Sequence, residues 1–426
     1  MLKNTELRVL ILCLILIALG RLPSTAQPLC QDQALFTLVA KSILQGDVLY
    51  RDVFDHKPPL MYFLYIPLYC LFGSSVLGCV LLDLFLHLLQ CLFIFHTLRI
   101  LVSHRCAMWG GLFFTVLVSS PVWSRGIRLL QGEVIANTVV ILMAYVAVAL
   151  SEGRFKPLLM GVLASIAFST KFLPLLVAFS PFFLLEYEEW ARGRFLGFFT
   201  LGFFLALLPW FLYLSIFAAW GDFYAAVIDF NLCYAASVQM PFWPELTGKL
   251  WAFWPSFVFA FFAVIIGRPS FCYERSLKFA LGAFIASLIV LFAQGKFFYY
   301  HFLILIPPLS YSAALGAAAL ERRIQDLEER KRLLPAILSV LFFLAATFHL
   351  FALSHQYLDF HEKYFKLCLG ELDFPEFAEQ TAVTTNRTLL ETILLAAAVR
   401  KWSDEDDELL VWGRNPLIYL LAHRRP

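Results

Sequence analysis

The chain has 426 residues, 61% of them hydrophobic and only 15% charged, with a mean hydropathy of +0.76. A water-soluble domain carries about 45–50% apolar and about 25% charged residues, so a soluble enzyme is excluded. A formal net charge of +2 gives no electrostatic reason to expect nucleic acid as a partner.

A bilayer core takes about 20 apolar residues per helix. Runs of this kind fall at Leu7–Leu22, Val76–Leu101, Met108–Trp123, Val134–Leu150, Phe195–Phe217, Leu250–Ile266, Phe279–Ala293, Phe302–Ala319 and Leu333–Leu353. Two shorter runs, Pro157–Thr170 and Phe172–Leu185, flank Lys171 and predict a helical hairpin with that lysine at its tip. The expectation is an all-α polytopic membrane domain over residues 1–353 with about eleven helices. With the N-terminus inside, inner loops hold 16 lysines and arginines and outer loops before residue 354 hold 9, the bias that orients a membrane protein. Lys3 and Arg8 before a short apolar core, with Ser24-Thr25-Ala26 after it, also fit a cleavable signal; in either case the chain beyond Leu29 lies outside. Nine cysteines, mostly in apolar runs and without a C-x-x-C pair, support neither a disulfide framework nor a zinc site.

The first outer loop, residues 24–75, is too charged to span. Gln33–Leu44 has helical spacing and stops at Gln45-Gly46-Asp47. Leu60–Phe72 starts after Pro58-Pro59 and stops at Gly73; too short to cross, it predicts an interfacial helix rich in Tyr and Phe. Residues 354–426 read as a small α/β outer tail, with a helix over Pro375–Lys401, an acidic run Asp404–Glu408 and a strand-like Leu409–Trp412. No partner strand follows before Arg424-Arg425-Pro426, so the tail is expected to be truncated. Asn386-Arg387-Thr388 has the pattern of a glycosylation sequon.

One face of this arrangement gathers Asp32, Asp52, Asp55, His56, Lys57, Arg125, Arg128, Glu133, Lys171, Lys296 and His301 from separate segments. Carboxylates that can take a proton, beside cations that can meet charge on a departing phosphate, form the inventory for glycosyl transfer from a lipid phosphate. Plainer roles compete. Asp32 is placed to cap the helix beginning at Gln33, Lys57 to snorkel, Asp52 and Asp55 to tie turns, Arg125 and Arg128 to anchor headgroups, and His301 to join an aromatic belt. Asp83 and His87, four apart within a span, read as a helix–helix contact or as the foothold of a rival reading, a transporter or lipid flippase.

The run Asp32-Gln33-Ala34-Leu35-Phe36, then Asp52-Val53-Phe54-Asp55-His56-Lys57-Pro58-Pro59-Leu60, then Leu71-Phe72-Gly73, resembles the first outer loop of the GT-C membrane glycosyltransferases. The similarity is greatest to the bacterial branch of aminoarabinose transferases of lipid A, protein O-mannosyltransferase-like proteins and Rgt-type lipopolysaccharide transferases. Gly161 to Lys171, Lys296–Pro308, and Val411-Trp412-Gly413 with Pro416-Leu417-Ile418-Tyr419 are similar to later segments of that family. The resemblance implies a polyprenyl-phosphate sugar donor, a glycolipid, glycan or protein acceptor, inversion at the anomeric carbon, and a site on the outer side of the bacterial inner membrane. It implies Asp32 as catalytic base, Glu133 as a second catalytic acid lining the acceptor, and Lys57 on the lipid phosphate. Asp55, His56, Arg125, Arg128, Lys171, Lys296 and His301 would then bind substrate. A divalent metal is implied only as an option, with Asp32, His56 and Glu133 as candidate ligands. The family often has Asp-Glu where this chain has Asp32-Gln33, and Glu where it has His56.

Overall fold

The computed structural model describes residues 4–119, 130–190, 193–237, 242–267, 270–325, 344, 355–384, 387–404, 407–411 and 415–424. The membrane part contains helices α1 (Asn4–Arg21), α2 (Gln31–Leu44), α3 (Leu60–Phe72), α4 (Leu77–Leu101), α5 (His104–Ser119), α6 (Gly132–Ala149) and α7 (Phe155–Thr170). These are followed by α8 (Gly193–Ile216), α9 (Phe230–Ser237), α10 (Phe242–Leu250), α11 (Trp254–Ile266), α12 (Phe271–Gln294) and α13 (Ile306–Gln325). The tail adds α14 (His355–Leu369), α15 (Phe374–Gln380), α16 (Leu389–Trp402) and α17 (Leu417–Ala422). Among the described residues, 7 helical stretches are long and apolar enough to cross a membrane. The chain is a multi-pass, almost entirely helical membrane protein.

Seven of the nine long predicted runs recur as these stretches with shifted ends, and Met108–Trp123 falls on α5 with its last four residues outside the described ones. The shorter predicted arm Phe172–Leu185 is broken: it is one helical turn at Leu175–Ala178 followed by a 3-10 segment at Ser180–Leu184. Pro174 and Pro181 open those two pieces, and a proline supplies no N–H to continue a helix. Lys171 does sit at the hairpin tip, as the C-cap of α7. The last predicted span, Leu333–Leu353, lies outside the described residues except for position 344.

Small residues set the closest helix crossings. A Cβ on Gly161 of α7 would run into the carbonyl of Phe199 on α8, and one on Gly202 of α8 into the carbonyl of Leu158; Gly316 of α13 faces Phe259 of α11 in the same way. Dispersion between closely packed backbones is what drives helix association when water is absent.

Arg21, at the end of the predicted run Leu7–Leu22 and one of the 9 cations counted for the outer loops, is buried. Its Nε lies 2.9 Å from Asp83 Oδ2, and its guanidinium also donates to the Val118 carbonyl at 3.3 Å. His87 Nδ1 lies 3.2 Å from the same carboxylate, and Leu130 N–H donates to Asp83 Oδ1 at 2.8 Å. The Asp83–His87 pair is thus part of a tie between α1, α4 and the entry to α6, which is the helix–helix contact expected of it.

In the loop between α1 and α4, α2 and α3 pack through Phe36, whose ring lies 5.8 Å from Tyr62 and 5.3 Å from Tyr65. The predicted helix over Pro375–Lys401 is two helices, α15 and α16, separated by an antiparallel ribbon of Ala382–Thr384 with Arg387–Thr388. The chain restarts at Thr388, whose hydroxyl accepts Glu391 N–H while Glu391 returns a carboxylate to Thr388 N–H, a reciprocal cap. Leu409–Val411 forms no named strand, and Trp412 lies outside the described residues. Ala378, Leu389, Leu417 and Leu420 from the tail join the same apolar cluster as Ala34, Phe36 and Tyr62.

Candidate active site

Helix α2 starts one residue before Asp32, not after it. Cys30, extended at φ −70°, is the N-cap: its Sγ accepts Gln33 N–H, and Gln33 Oε1 accepts Cys30 N–H at 2.9 Å. Asp32 is therefore not the helix cap. It stands in the first turn, half-buried, where the helix dipole favours an anion, and among the described residues no hydrogen bond or ion pair engages its carboxylate.

The loop from Val48 to Pro59 is held from several sides. Asp52, largely exposed, accepts Val48 N–H at 2.8 Å and pairs with Arg51 at 3.0 Å, so it ties the loop to itself. Tyr50 takes the left-handed region at φ 75°, and its hydroxyl donates to the Lys57 carbonyl at 2.8 Å, while Lys57 N–H donates to Tyr62 Oη at 3.0 Å. Asn231 on α9 donates to the His56 carbonyl at 2.7 Å, and the His56 ring lies 5.2 Å from Phe230 and 5.7 Å from Tyr234. The Lys57 backbone is thus gripped on both sides before its side chain does anything.

At the centre of this loop Asp55 is 3% exposed, and its Oδ1 accepts His56 N–H at 2.7 Å with His56 Nδ1 at 2.9 Å. Burial by itself would raise its pKa; the Lys57 ammonium and the His56 bonds outweigh burial and lower it to about 2. The Lys57 ammonium lies 4.8 Å from the centre of the Phe36 ring, one helical turn beyond Asp32. Burial works against its charge, but the carboxylates of Asp55, Asp32 and Glu133 prevail and hold its pKa above the ordinary lysine value. Asp55 is accordingly a fixed counter-charge, and Lys57 a charged group that no carboxylate among the described residues touches directly.

Glu133 follows the N-cap Gln131 in the first turn of α6 and is 1% exposed. It is ion-paired with Lys171, which also donates to Gln294 Oε1 at 2.8 Å and lies 5.8 Å from the centre of the Tyr300 ring. This pairing joins α6, the tip of α7 and the end of α12. Met61 of α3 lies 3.8 Å from where a Cβ on Gly132 would stand, which brings the loop between α1 and α4 alongside.

Lys296 donates to the Tyr234 carbonyl at 3.0 Å and lies over that tyrosine's ring; Tyr234 also acts electrostatically on Lys57. His301 is buried with Tyr300 at 4.5 Å and Phe298 at 5.4 Å. Arg125 and Arg128 lie outside the described residues. Sequence reading missed Gln294, Tyr50 and Asn231, which carry no motif and matter only through contacts made across the fold.

Among the described residues no three His, Cys, Asp or Glu side chains come together as a metal site. The candidate trio does not fit one: the His56 ring is committed to Asp55, Glu133 to Lys171, and an ammonium already stands in the field of the carboxylates.

These residues sit on a bundle of apolar helices that carries a folded, charged loop between α1 and α4. No protein-family model matches the chain, and no curated protein matches its sequence. Solved structures do match in fold. ArnT from Cupriavidus metallidurans bound to undecaprenyl phosphate superposes with a TM-score of 0.64 at 15% identity, over 97% of this chain and 84% of that one; its apo state gives 0.62. The archaeal oligosaccharyltransferase AglB from Archaeoglobus fulgidus, in complex with an inhibitory peptide and a dolichol-phosphate, gives 0.58 at 12% identity, over 100% of this chain and 64% of AglB.

Proposed function

We propose that the protein is an inverting membrane glycosyltransferase that moves a sugar from a polyprenyl-phosphate donor to a lipid, glycan or protein acceptor, with its N-terminus cytoplasmic and its site on the outer face. The observation that carries this reading is a carboxylate, Asp32, unengaged among the described residues, and a half-buried ammonium, Lys57, on adjoining segments of a fold shared with a protein bound to undecaprenyl phosphate.

In the proposed step the acceptor oxygen attacks the anomeric carbon as Asp32 takes its proton. The bond from that carbon to the phosphate oxygen breaks, and the electron pair leaves with the phosphate. Lys57, close enough to the carboxylates to stay charged, meets the negative charge that grows there. Asp55 keeps Lys57 charged and positioned, and Glu133, neutralised by Lys171, is left to line the sugar or acceptor. No step is assigned to a metal. The transporter reading loses its foothold, because Asp83 and His87 are spent on the tie to Arg21 and Leu130.

The test is turnover of undecaprenyl-phosphate sugars by protein in nanodiscs. A transferase consumes the donor and releases undecaprenyl phosphate, while a transporter leaves it intact. Asp32→Asn and Asp32→Ala should both melt near the parent, since neither removes a cap, and both should lose at least about a hundredfold in rate, as loss of a general base implies. An active Asp32→Asn protein would remove Asp32 from the mechanism.

A further inference from the structure

Among the described residues two carboxamides hold buried N–H donors without a partner: Nε2 of Gln294, whose oxygen meets Lys171, and Nε2 of Gln131, two residues before Glu133 in the chain. Buried donors are normally satisfied, so each such group calls for an account.

Gln294 is the last residue of α12 and is firmly oriented. Lys171 is a donor only, so the side-chain oxygen of Gln294 must face it, as the 2.8 Å contact records, and the NH2 end must point elsewhere. Gln131 is 2% exposed and precedes Glu133 by two residues at the N-cap of α6. Lys171 links Gln294 to Glu133, and this ion pair combines an acceptor with a three-proton donor, two of whose protons are committed.

These groups offer both donors and acceptors, and their chemistry selects among the parts of a lipid-linked sugar. A phosphate only accepts and would meet the Glu133 carboxylate. A polyprenyl chain would leave both amides unpaired. A sugar hydroxyl both donates and accepts, and so satisfies all of these groups together. We propose that Gln294, with Gln131 and the Glu133–Lys171 pair, forms the subsite for the hydroxyl groups of the transferred sugar, and that Gln294 is a specificity-determining residue. The inference rests on the polyprenyl-phosphate-sugar reading and adds to it where the sugar lies. A site built to hydrogen-bond a hydroxyl discriminates strongly, because an unsuitable ligand leaves the buried amides unpaired.

The experiment compares binding of undecaprenyl phosphate with binding of undecaprenyl phosphates carrying glucose, mannose, galactose or 4-amino-4-deoxyarabinose, to protein in nanodiscs. The parent should bind at least one sugar-bearing lipid about tenfold more tightly than the bare phosphate, the gain expected of one or two hydrogen bonds. Gln294→Met, which keeps length and loses the amide, should erase that preference and leave affinity for undecaprenyl phosphate within about twofold. Gln131→Met provides a second, independent loss if the first variant folds poorly. A parent that binds undecaprenyl phosphate but gains nothing from any sugar overturns the subsite and leaves the phosphate reading standing. A preference that survives both substitutions overturns it as well. A parent that does not bind undecaprenyl phosphate at all brings down the underlying reading together with the subsite.

Discussion

Replacing Asp55 by asparagine tests the electrostatic design around Lys57 without any substrate. The carboxyl lies at about 2 against an ordinary value of 3.8, and the group is almost wholly buried. At about 1.4 kcal/mol per pKa unit, the native state owes roughly 2 kcal/mol to holding this aspartate ionised. A depressed pKa contributes stability that is fully present above the unfolded value and is lost as pH falls through the folded one. The contribution should therefore be constant at neutral pH and disappear between about pH 4 and pH 2. Asn keeps an acceptor for His56 N–H but leaves Lys57 without its nearest counter-charge. At pH 7 the variant should melt roughly 4–8 °C below the parent, by the usual scaling of about 2–4 °C per kcal/mol. The two melting curves should converge as pH approaches the folded value. Intrinsic-fluorescence melting in detergent across that range measures both effects. Equal melting at pH 7, or an offset that stays the same down to pH 2, would refute the assignment of Asp55 as counter-ion.

Three further outcomes follow. Lys57→Ala should weaken binding of undecaprenyl phosphate by about ten- to a hundredfold, the range for losing a bond to a charged group, and Lys57→Arg should restore only part of it; unchanged binding in the alanine variant would leave Lys57 as a headgroup anchor. Arg21→Ala should cost about 3–5 kcal/mol by stranding Asp83 in the bundle, and Arg21→Ala with Asp83→Ala should recover much of that loss; thermal melting of the two variants beside the parent decides it. For topology, a reporter fused after Ser354 should be extracytoplasmic and one fused near Asp326 cytoplasmic, and the reverse result at either position would turn the site to the other face.

What the sequence disclosed followed from strong local signals. Leu60–Phe72 has the same limits in sequence and structure, because a proline pair and Gly73 bound an apolar run too short to cross. Hydropathy overreached at Phe172–Leu185, where it counts side chains and overlooks that Pro174 and Pro181 withhold backbone donors. Asp32 looked like a cap because aspartate is a strong one; Cys30, a weak one, takes the position through its reciprocal bond with Gln33. The Glu133–Lys171 pair and its link to Gln294 join residues 38 and 123 positions apart, so no window along the chain contains them. Arg21 was misread for a similar reason: its partner Asp83 belongs to another helix.

The packing of α17 against α2 bears on how the protein is made. The face of α2 that shares its apolar cluster with Leu417 and Leu420 belongs to the helix that presents Asp32 at its start. Residues near position 30 leave the ribosome long before those near 420, so the helix bearing the proposed base must wait, with that face uncovered, while all the helices between them are synthesised and inserted. A protein arrested before α17 would hold every proposed reacting group yet lack the support that fixes the first of them.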